Sequence, residues 1–417
     1  MKRVALLCLA LAALLPGSAK AQLSMQVSSG WTFTFTGNIN AFYVFSSGGI
    51  NQAGAINGGL TSTDKASRVR TGLLPAEFGL DATGKVNGLD LGVHFGIYPQ
   101  IQNASIHDNF GNGTQAGAQI DMRQVYMTVG GSWGQITAGR TLDLFGRQNI
   151  LTDMTLFGVG ASGGVVGAGG TTLGRIGYGY IYPNFNAQLT YSTPASKSAQ
   201  LSFGVFDPSK VTTDSTTFEG TRMPLLEAEA TWTKNFGTPP TTEGATADKL
   251  MLWVNGMTQH TNAVPNTFDL ISENPGFTSS GVGGGAKLDI SGLSLVGSGY
   301  FASGVGTTLF FNLPADAVND SRDSYGYIAQ ATYAISNSKW ILGASYGESD
   351  LKQTDLDKTT LAGNTLVKKN AAATGMITNQ INKNLKWVGE YDYIWSTAFS
   401  DAKVHSNQVA TGLMLFF

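Results

Sequence analysis

The sequence predicts an all-β protein, a transmembrane antiparallel β-barrel of about sixteen strands. Apolar and polar residues alternate over segments longer than ordinary strands, aromatic residues lie near the ends of these segments, and short connections alternate with long ones. Successive side chains of a strand point to opposite faces, so this alternation gives one apolar and one polar face. Short turns on one rim and long loops on the other are typical of membrane barrels.

The composition limits the class of protein. The chain has 417 residues, 26 Lys and Arg, 28 Asp and Glu, and 54 Gly, and only 13% of its residues are charged. A net charge of −2 with 10% aromatic residues argues against a disordered chain, and the lack of a basic run argues against nucleic-acid binding. The single cysteine excludes a disulfide scaffold.

The first element is a secretory signal peptide over residues 1–21. Lys2 and Arg3 precede an apolar stretch that is too short for a transmembrane helix, and residues 19–21 form a cleavage site of small residues around a lysine. We predict cleavage after Ala21, which removes the only cysteine and leaves a net charge of about −5. Residues 22–417 then form a single barrel domain.

The clearest strand begins at Trp31, where the odd positions through Phe45 are mostly apolar or aromatic and the even positions begin with threonines. The same alternation recurs around Phe95, Trp232 and Tyr391. A soluble β-sandwich or β-helix, whose apolar face would pack on a core, is the alternative. The predicted strands cover residues 31–46, 70–85, 88–99, 119–130, 135–141, 175–192, 199–206, 223–234, 249–257, 281–291, 293–302, 323–335, 339–347, 366–379, 385–396 and 403–417.

An even number of strands places both termini on the short-turn, periplasmic side. Two places do not fit this scheme well. Residues 235–248 form a long connection where a short turn is expected, and Pro183 lies inside the sixth predicted strand, where it would interrupt the hydrogen-bond ladder. A β-bulge at Pro183 would explain this second irregularity, because the apolar positions also change parity there.

No pattern of catalytic or metal-binding residues emerges. The four histidines are His94, His107, His260 and His405, and none has a His or Cys neighbour at ligand spacing. Two matches to G-x-S-x-G, at residues 160–164 and 343–347, lack the strand–turn–helix context of a nucleophile elbow. The aspartates of loop 348–365 do not have EF-hand spacing. We therefore expect no cofactor, no metal site and no enzymatic activity.

Three segments resemble the Gram-negative outer-membrane porins, which are trimeric sixteen-stranded general-diffusion channels. Residues 123–134, followed by Gly139-Arg140, are similar to the family's pattern before its long third loop. Tyr182-Pro183-Asn184-Phe185 resembles the segment after that loop. The chain ends on Phe417 after alternating apolar residues, which resembles the signal read by the outer-membrane barrel-assembly machinery.

The resemblance implies a passive diffusion channel for small hydrophilic solutes and ions. It further implies a homotrimer surrounded by outer-membrane lipid, with the third loop, residues 142–174, folded into the lumen. Two alternatives stay open at this point. One is a surface hydrolase built on an outer-membrane barrel, and the other is a non-conducting structural or adhesion barrel.

The resemblance also implies which residues line the constriction. Arg140 matches the family's wall arginine, Arg123 and Arg175 occupy strand positions next to the third loop, and Asp143 and Asp153 are the only carboxylates of that loop. Charges in a narrow passage of low dielectric constant select the ions that pass. We therefore expect these five residues to line the pore, and replacing both aspartates by asparagine to shift ion selectivity toward anions.

Overall fold

The computed structural model describes residues 23–26, 30–51, 56–60, 65–102, 120–162, 170–195, 198–214, 217–220, 223–236, 247–263 and 276–417. The predicted signal peptide and His107 lie outside the described residues. Among the residues described, no helix is both long and apolar enough to span a membrane.

Strands dominate the described chain. They are β1 (Leu23–Gln26), β2 (Trp31–Asn51), β3 (Lys65–Arg70), β4 (Glu77–Val86), β5 (Leu89–Pro99), β6 (Ile120–Gly131), β7 (Gly134–Leu142), β8 (Phe185–Ser192), β9 (Ala199–Phe206), β10 (Val211–Thr212), β11 (Thr217–Gly220), β12 (Leu225–Asn235), β13 (Lys249–Ala263), β14 (Phe277–Ile290), β15 (Leu293–Ser303), β16 (Asp323–Ala334), β17 (Trp340–Leu351), β18 (Val367–Gln380), β19 (Leu385–Ala398) and β20 (Lys403–Phe416). The short helices are α1 (Arg147–Thr152) and α2 (Leu361–Thr365), with 3-10 turns at Met154–Phe157 and Asp357–Thr359.

The strands form a closed antiparallel barrel with sixteen positions around its wall, as predicted. The barrel closes because β2 pairs with β4 on one side and with β20 on the other. The chain terminus extends this closure, since the Gly37 N–H donates to the Phe417 carbonyl at 2.9 Å and the Phe417 N–H donates back at 3.0 Å. Closure satisfies the backbone hydrogen bonds that lipid cannot satisfy.

The wall position after β2 is shared by two strands, where the sequence predicted one strand over residues 70–85. Both β3 and β4 pair with β2, at different heights. The segment between them contains Pro75, which cannot donate to a ladder. The Asn40 side chain holds this segment, because its Nδ2 donates to the Leu74 carbonyl at 2.9 Å and its Oδ1 accepts from the Gly72 N–H at 2.9 Å.

The predicted strand over residues 175–192 is also corrected. Its regular part, β8, begins only at Phe185, and the Asp143 N–H donates to the Asn184 carbonyl at 3.0 Å. The preceding residues belong to the long connection after β7, so Pro183 forms neither a bulge nor a turn within a strand. The connection therefore runs over residues 143–184 rather than 142–174, and the strand count is unaffected.

The two faces of the wall differ as the alternation predicts. On β8, Leu189 is 59% exposed whereas its neighbour Gln188 is 6% exposed. On β19, Tyr391 is 49% exposed whereas Glu390 is 5% exposed. The apolar row thus faces outward, toward lipid, and the polar row faces the inside of the barrel. His94 lies in the inward row of β5, as expected from its place on the polar face.

Candidate constriction site

A long segment between β7 and β8 contacts inward-facing side chains on many strands. We call residues 143–184 the strap; residues 143–162 and 170–184 of it are described. The strap contains α1 and the 3-10 turn that follows. Gly146 directly precedes α1 and has a φ of 76°, a left-handed backbone conformation that glycine adopts without steric strain.

One end of the strap is fixed to β12. The backbone N–H groups of Leu144 and Phe145 both donate to Glu227 Oε2, at 2.7 and 2.8 Å. Nearby, the Arg147 guanidinium forms an ion pair with Glu229, whose side chain is only 1% exposed. The Glu227 carboxyl group thus gives hydrogen-bond partners to two successive N–H groups that precede α1.

The middle of the strap contacts the next strands in order. The Asn149 side chain donates to Ser298 Oγ on β15 at 2.9 Å. The Met154 N–H donates to Gln330 Oε1 on β16 at 3.1 Å. Farther along, the Gly179 N–H donates to Ser349 Oγ on β17 at 3.1 Å. These contacts reach progressively farther around the inner wall.

The far part of the strap is fixed to β19. The Val159 N–H donates to Glu390 Oε2 at 3.1 Å and the Gly160 N–H donates to the same oxygen at 2.8 Å. A Cβ added at Gly158 would collide with Glu390 Oε1, so a larger residue there would displace this carboxyl group. The two anchoring strands are seven steps apart in a wall of sixteen positions, so the strap is attached to nearly opposite sides of the barrel.

Asp143 lies in the strap, but it does not face an open passage. Its side chain is fully buried and accepts from the Asn186 N–H at 3.0 Å and from Asn186 Nδ2 at 2.6 Å. Burial raises the pKa of Asp143 to about 7, although the bonds from Asn186 and the charge of Arg140 act in the opposite direction.

Asp153 and Arg175 form a buried pair within the strap. The carboxylate of Asp153 accepts from the Tyr180 hydroxyl at 2.7 Å, from the Thr155 N–H at 2.8 Å and from the Arg175 N–H at 3.1 Å. Burial raises the pKa of Asp153 and lowers that of Arg175, and their mutual attraction opposes both shifts. Arg175 lies in the strap rather than on a strand, and it donates to Thr374 Oγ1 on β18 at 2.8 Å.

Arg123 is held on the inward face by an irregularity of β6. On β5, Gly96 pairs with Gln124 of β6, whereas Tyr98 pairs with Asp121. Strand β6 therefore contains one extra residue between these two pairs, and its side chains change face at this bulge. The guanidinium bonds to Asp121 Oδ2 at 2.6 Å and lies 5.5 Å from the Tyr98 ring and 5.3 Å from the Phe185 ring. Arg123 also borders a small, mostly apolar cavity between the strap and the wall.

Arg140 is on the other face. Its register partners are Val125 on β6 and Ala187 on β8, which belong to the outward row, whereas the adjacent Gly139 pairs with inward-facing Gln188. Arg140 is therefore exposed outside the barrel, and the expectation that it lines the lumen is wrong. Of the five expected lining residues, only Arg123 is partly exposed on the inward face.

The residues that fix the strap were not among the expected site residues. Glu227 and Glu390 are on the polar faces of strands that the sequence predicts correctly, so their inward orientation could be predicted but their partners could not. Arg68 and Arg70 were also missed; they pair with inward-facing Val44 and Phe42. The Arg70 guanidinium donates to the Gly170 carbonyl of the strap at 2.8 Å.

His94 and His260 form hydrogen bonds with side chains of neighbouring strands. His94 Nδ1 is 2.9 Å from Asp81 Oδ1, and its ring stacks on Tyr126 inside the barrel. His260 Nδ1 is 2.8 Å from Thr278 Oγ1. Within the described ranges, no group of three or more His, Cys, Asp or Glu side chains could hold a metal ion.

Comparison with known proteins agrees with this architecture. A family model described as Gram-negative porin matches residues 5–394. Among solved structures, the outer membrane channel DcaP of Acinetobacter baumannii is 14% identical with a TM-score of 0.67, and the alignment covers 94% of this chain and 99% of that one. A search of curated proteins finds no match.

Two other similar structures are OmpT of Vibrio cholerae in its trimer form and OmpF of Salmonella typhi in complex with daunomycin. OmpT is 15% identical with a TM-score of 0.53, and the alignment covers 93% of this chain and 100% of that one. OmpF is 13% identical with a TM-score of 0.55, covering 95% and 100%. Because the family model matches nearly the whole chain and the barrel is closed with sixteen strands, the chain belongs to the Gram-negative porin family and is a passive diffusion channel of the outer membrane.

Proposed function

We propose that solutes cross this barrel beside the strap, through a constriction that the strap forms against the inner wall. The observation that carries the proposal is the attachment of the strap to Glu227 on β12 and to Glu390 on β19. A segment held at both sides of the lumen reduces its open cross-section. The remaining passage lies between polar inward rows, which suits small hydrophilic solutes and ions.

Arg123 is the charged side chain that we propose to act on the permeating ion. Its guanidinium is held over two rings and beside Asp121, so its position is fixed while 14% of the side chain stays exposed. Asp143, Asp153 and Arg175 instead hold the strap, since each is enclosed by its partners. The selectivity change first expected for the double aspartate variant is therefore replaced by an expectation for Arg123.

Arg123→Gln should shift the reversal potential in a KCl gradient toward cation preference, because the variant leaves the Asp121 carboxylate without its ion-pair partner. Planar-bilayer recordings of the refolded mature protein measure this shift. Arg140→Gln is a matched control, because it removes the same charge from a neighbouring strand but on the outward face. Equal shifts in both variants would contradict a specific role for Arg123.

We further propose that the active form is a homotrimer and that it has no catalytic activity. The similar structure of Vibrio cholerae OmpT is a trimer, and the barrel has the same number of wall positions as trimeric porins. Incubation of the purified protein with peptide and lipid ester substrates tests the second part. Hydrolysis that disappears when a single residue of the barrel is substituted would favour the surface-hydrolase alternative.

A further inference from the structure

An apolar cavity lies between the strap and the inner wall of the barrel. Ile150, Leu151 and Leu156 line it from the strap, whereas Leu142 at the end of β7 and Leu74 before β4 line it from the wall. The cavity measures about 500 Å³ including its open mouth. A hydrated ion gains nothing from such a lining, but an apolar group of a solute is stabilised there because it leaves water. The cavity therefore points to a solute that has an apolar part.

The polar side chains that border this cavity differ in whether they already have partners. The Tyr98 hydroxyl donates to Gln124 Oε1, so these two groups satisfy each other. Among the described lining residues, Arg123 is the one that carries a charge. Its guanidinium lies 5.5 Å from the Tyr98 ring and 5.3 Å from the Phe185 ring, both of which also line the cavity. A positive charge is thus held in a fixed position at the edge of an apolar space.

The ion pair between Asp121 and Arg123 leaves one end of each group unused. Arg123 Nε and Nη2 both approach the same oxygen, Asp121 Oδ2, at 2.8 and 2.6 Å. Among the residues that the structure describes, none forms a hydrogen bond with Arg123 Nη1 or with Asp121 Oδ1. The side chains of Asp121 and Arg123 are 45% and 14% exposed, so a solute in the lumen can reach both. An N–H donor and a carboxylate acceptor of opposite charge therefore lie side by side at the cavity.

We propose that the cavity and the Asp121–Arg123 pair bind α-amino acids with a bulky apolar side chain, such as leucine, as they cross the barrel. The α-carboxylate would accept from Arg123 Nη1, the α-ammonium would donate to Asp121 Oδ1, and the side chain would enter the cavity. A lone anion is repelled by Asp121 and a lone cation by Arg123, whereas a zwitterion is attracted to both groups. This inference rests on the proposed function, because the ligand reaches Arg123 through the passage beside the strap.

The test measures the KCl current through the refolded mature protein in planar bilayers while L-leucine is added. Leucine bound beside Arg123 should reduce the current in a saturable way, and isothermal titration calorimetry in detergent measures the same binding directly. Glycine, 4-methylpentanoate and leucine amide each lack one of the three matching parts, which are the apolar side chain, the ammonium and the carboxylate. Each should require a concentration about tenfold higher or more, the change expected for losing one buried apolar group or one hydrogen bond to a charged group.

Variants separate the ion pair from the cavity. Arg123→Gln and Asp121→Asn should each weaken leucine binding about tenfold or more, since each removes one charged partner of the zwitterion. Thr171→Phe should fill part of the cavity and abolish the difference between leucine and glycine. Lys85→Gln is the matched control, because it breaks the ion pair with Asp90, 3.0 Å long, at the short turn between β4 and β5. This control should bind leucine as wild type does.

Wild-type protein that binds leucine no better than glycine, or no better than 4-methylpentanoate, would overturn the proposal without the need for any variant. Absence of saturable leucine binding in both measurements would overturn it as well. The reversal potential recorded without amino acids tests the constriction separately. An Arg123-dependent reversal potential without leucine binding contradicts the amino-acid site alone, whereas leucine binding without that dependence contradicts the role of Arg123 in ion selectivity and supports the site.

Discussion

Asp143 and Asp153 show how burial changes the role of a charged side chain. Both occur in the loop where a porin constriction carries its acidic residues, yet each is surrounded by donors from its own segment or from β8. A buried carboxylate that accepts several hydrogen bonds fixes the backbone around it, and removing it leaves those donors unsatisfied. Their burial and hydrogen bonds fix the backbone of the strap around them.

Asp143→Asn should remove a pH dependence of stability. Burial raises the pKa of Asp143 to about 7, so its contribution to stability is full below the ordinary aspartate pKa and is lost as the pH rises through 7. The stability difference between wild type and variant should therefore change by up to about 4 kcal/mol between pH 4 and pH 8. Urea unfolding in detergent, followed by tryptophan fluorescence, measures it.

The control for this prediction is Asp355→Asn, because the Asp355 side chain is 99% exposed. Its unfolding midpoint should follow that of wild type at both pH values. If Asp143→Asn keeps the pH dependence of wild type, Asp143 is not the group that titrates.

At the scale of elements, backbone N–H groups of the strap donate hydrogen bonds to side chains of the wall. Glu227 and Glu390 each accept two successive N–H groups, and the region between them bonds to β15 and β16. Apolar packing supports the same arrangement, since Ile150 and Leu156 of the strap pack with Phe42 and Val44 of β2. The strap is thus a fixed part of the barrel interior.

Glu390→Gln should loosen the far part of the strap. The Val159 N–H approaches both carboxyl oxygens of Glu390 and the Gly160 N–H approaches Oε2, whereas glutamine replaces one of these oxygens by an N–H₂ donor. Facing a buried N–H with another donor instead of an acceptor costs about 2 kcal/mol. We expect the detached state to become at least tenfold more populated, which single-channel recordings would show as added current fluctuations or higher conductance.

Glu77→Gln is the control for this change, because Glu77 lies on β4 and its hydrogen bond comes from the Tyr98 hydroxyl, not from the strap. The current fluctuations of this variant should match those of wild type. If Glu390→Gln has the conductance and current fluctuations of wild type, the attachment of the strap does not depend on this carboxyl group.

At the scale of the whole molecule, we expect three copies of the barrel to assemble. Native mass spectrometry or cross-linking of the refolded protein in mild detergent should give a mass close to three times that of one mature chain. In bilayers, the same preparation should close in three equal steps under high voltage. A stable monomer that conducts in single steps would contradict the proposed trimer, but it would not contradict the function of the barrel as a channel.

Much of the fold could be predicted because it depends on a local pattern. The alternation near Trp31 and around Tyr391 predicts the strands there, and the parity of Ile136, Ala138 and Arg140 already indicates that Arg140 faces outward with the apolar row. The resemblance to the family's wall arginine led to the opposite expectation. The position of Arg123 could not be predicted because it depends on the bulge in β6, and that of Arg175 could not because it depends on the path of the strap.

The sequence by itself determined that this protein is a sixteen-stranded membrane barrel with one lipid-facing and one inward-facing row. It could do so because lipid outside and polar surroundings inside impose a two-residue period on every strand. Only the tertiary structure decided where β8 begins, which wall residues hold the strap and which charges stay exposed. Those features depend on contacts between residues far apart in the sequence, such as Gly160 and Gln408, which are 248 positions apart, and no local pattern encodes them.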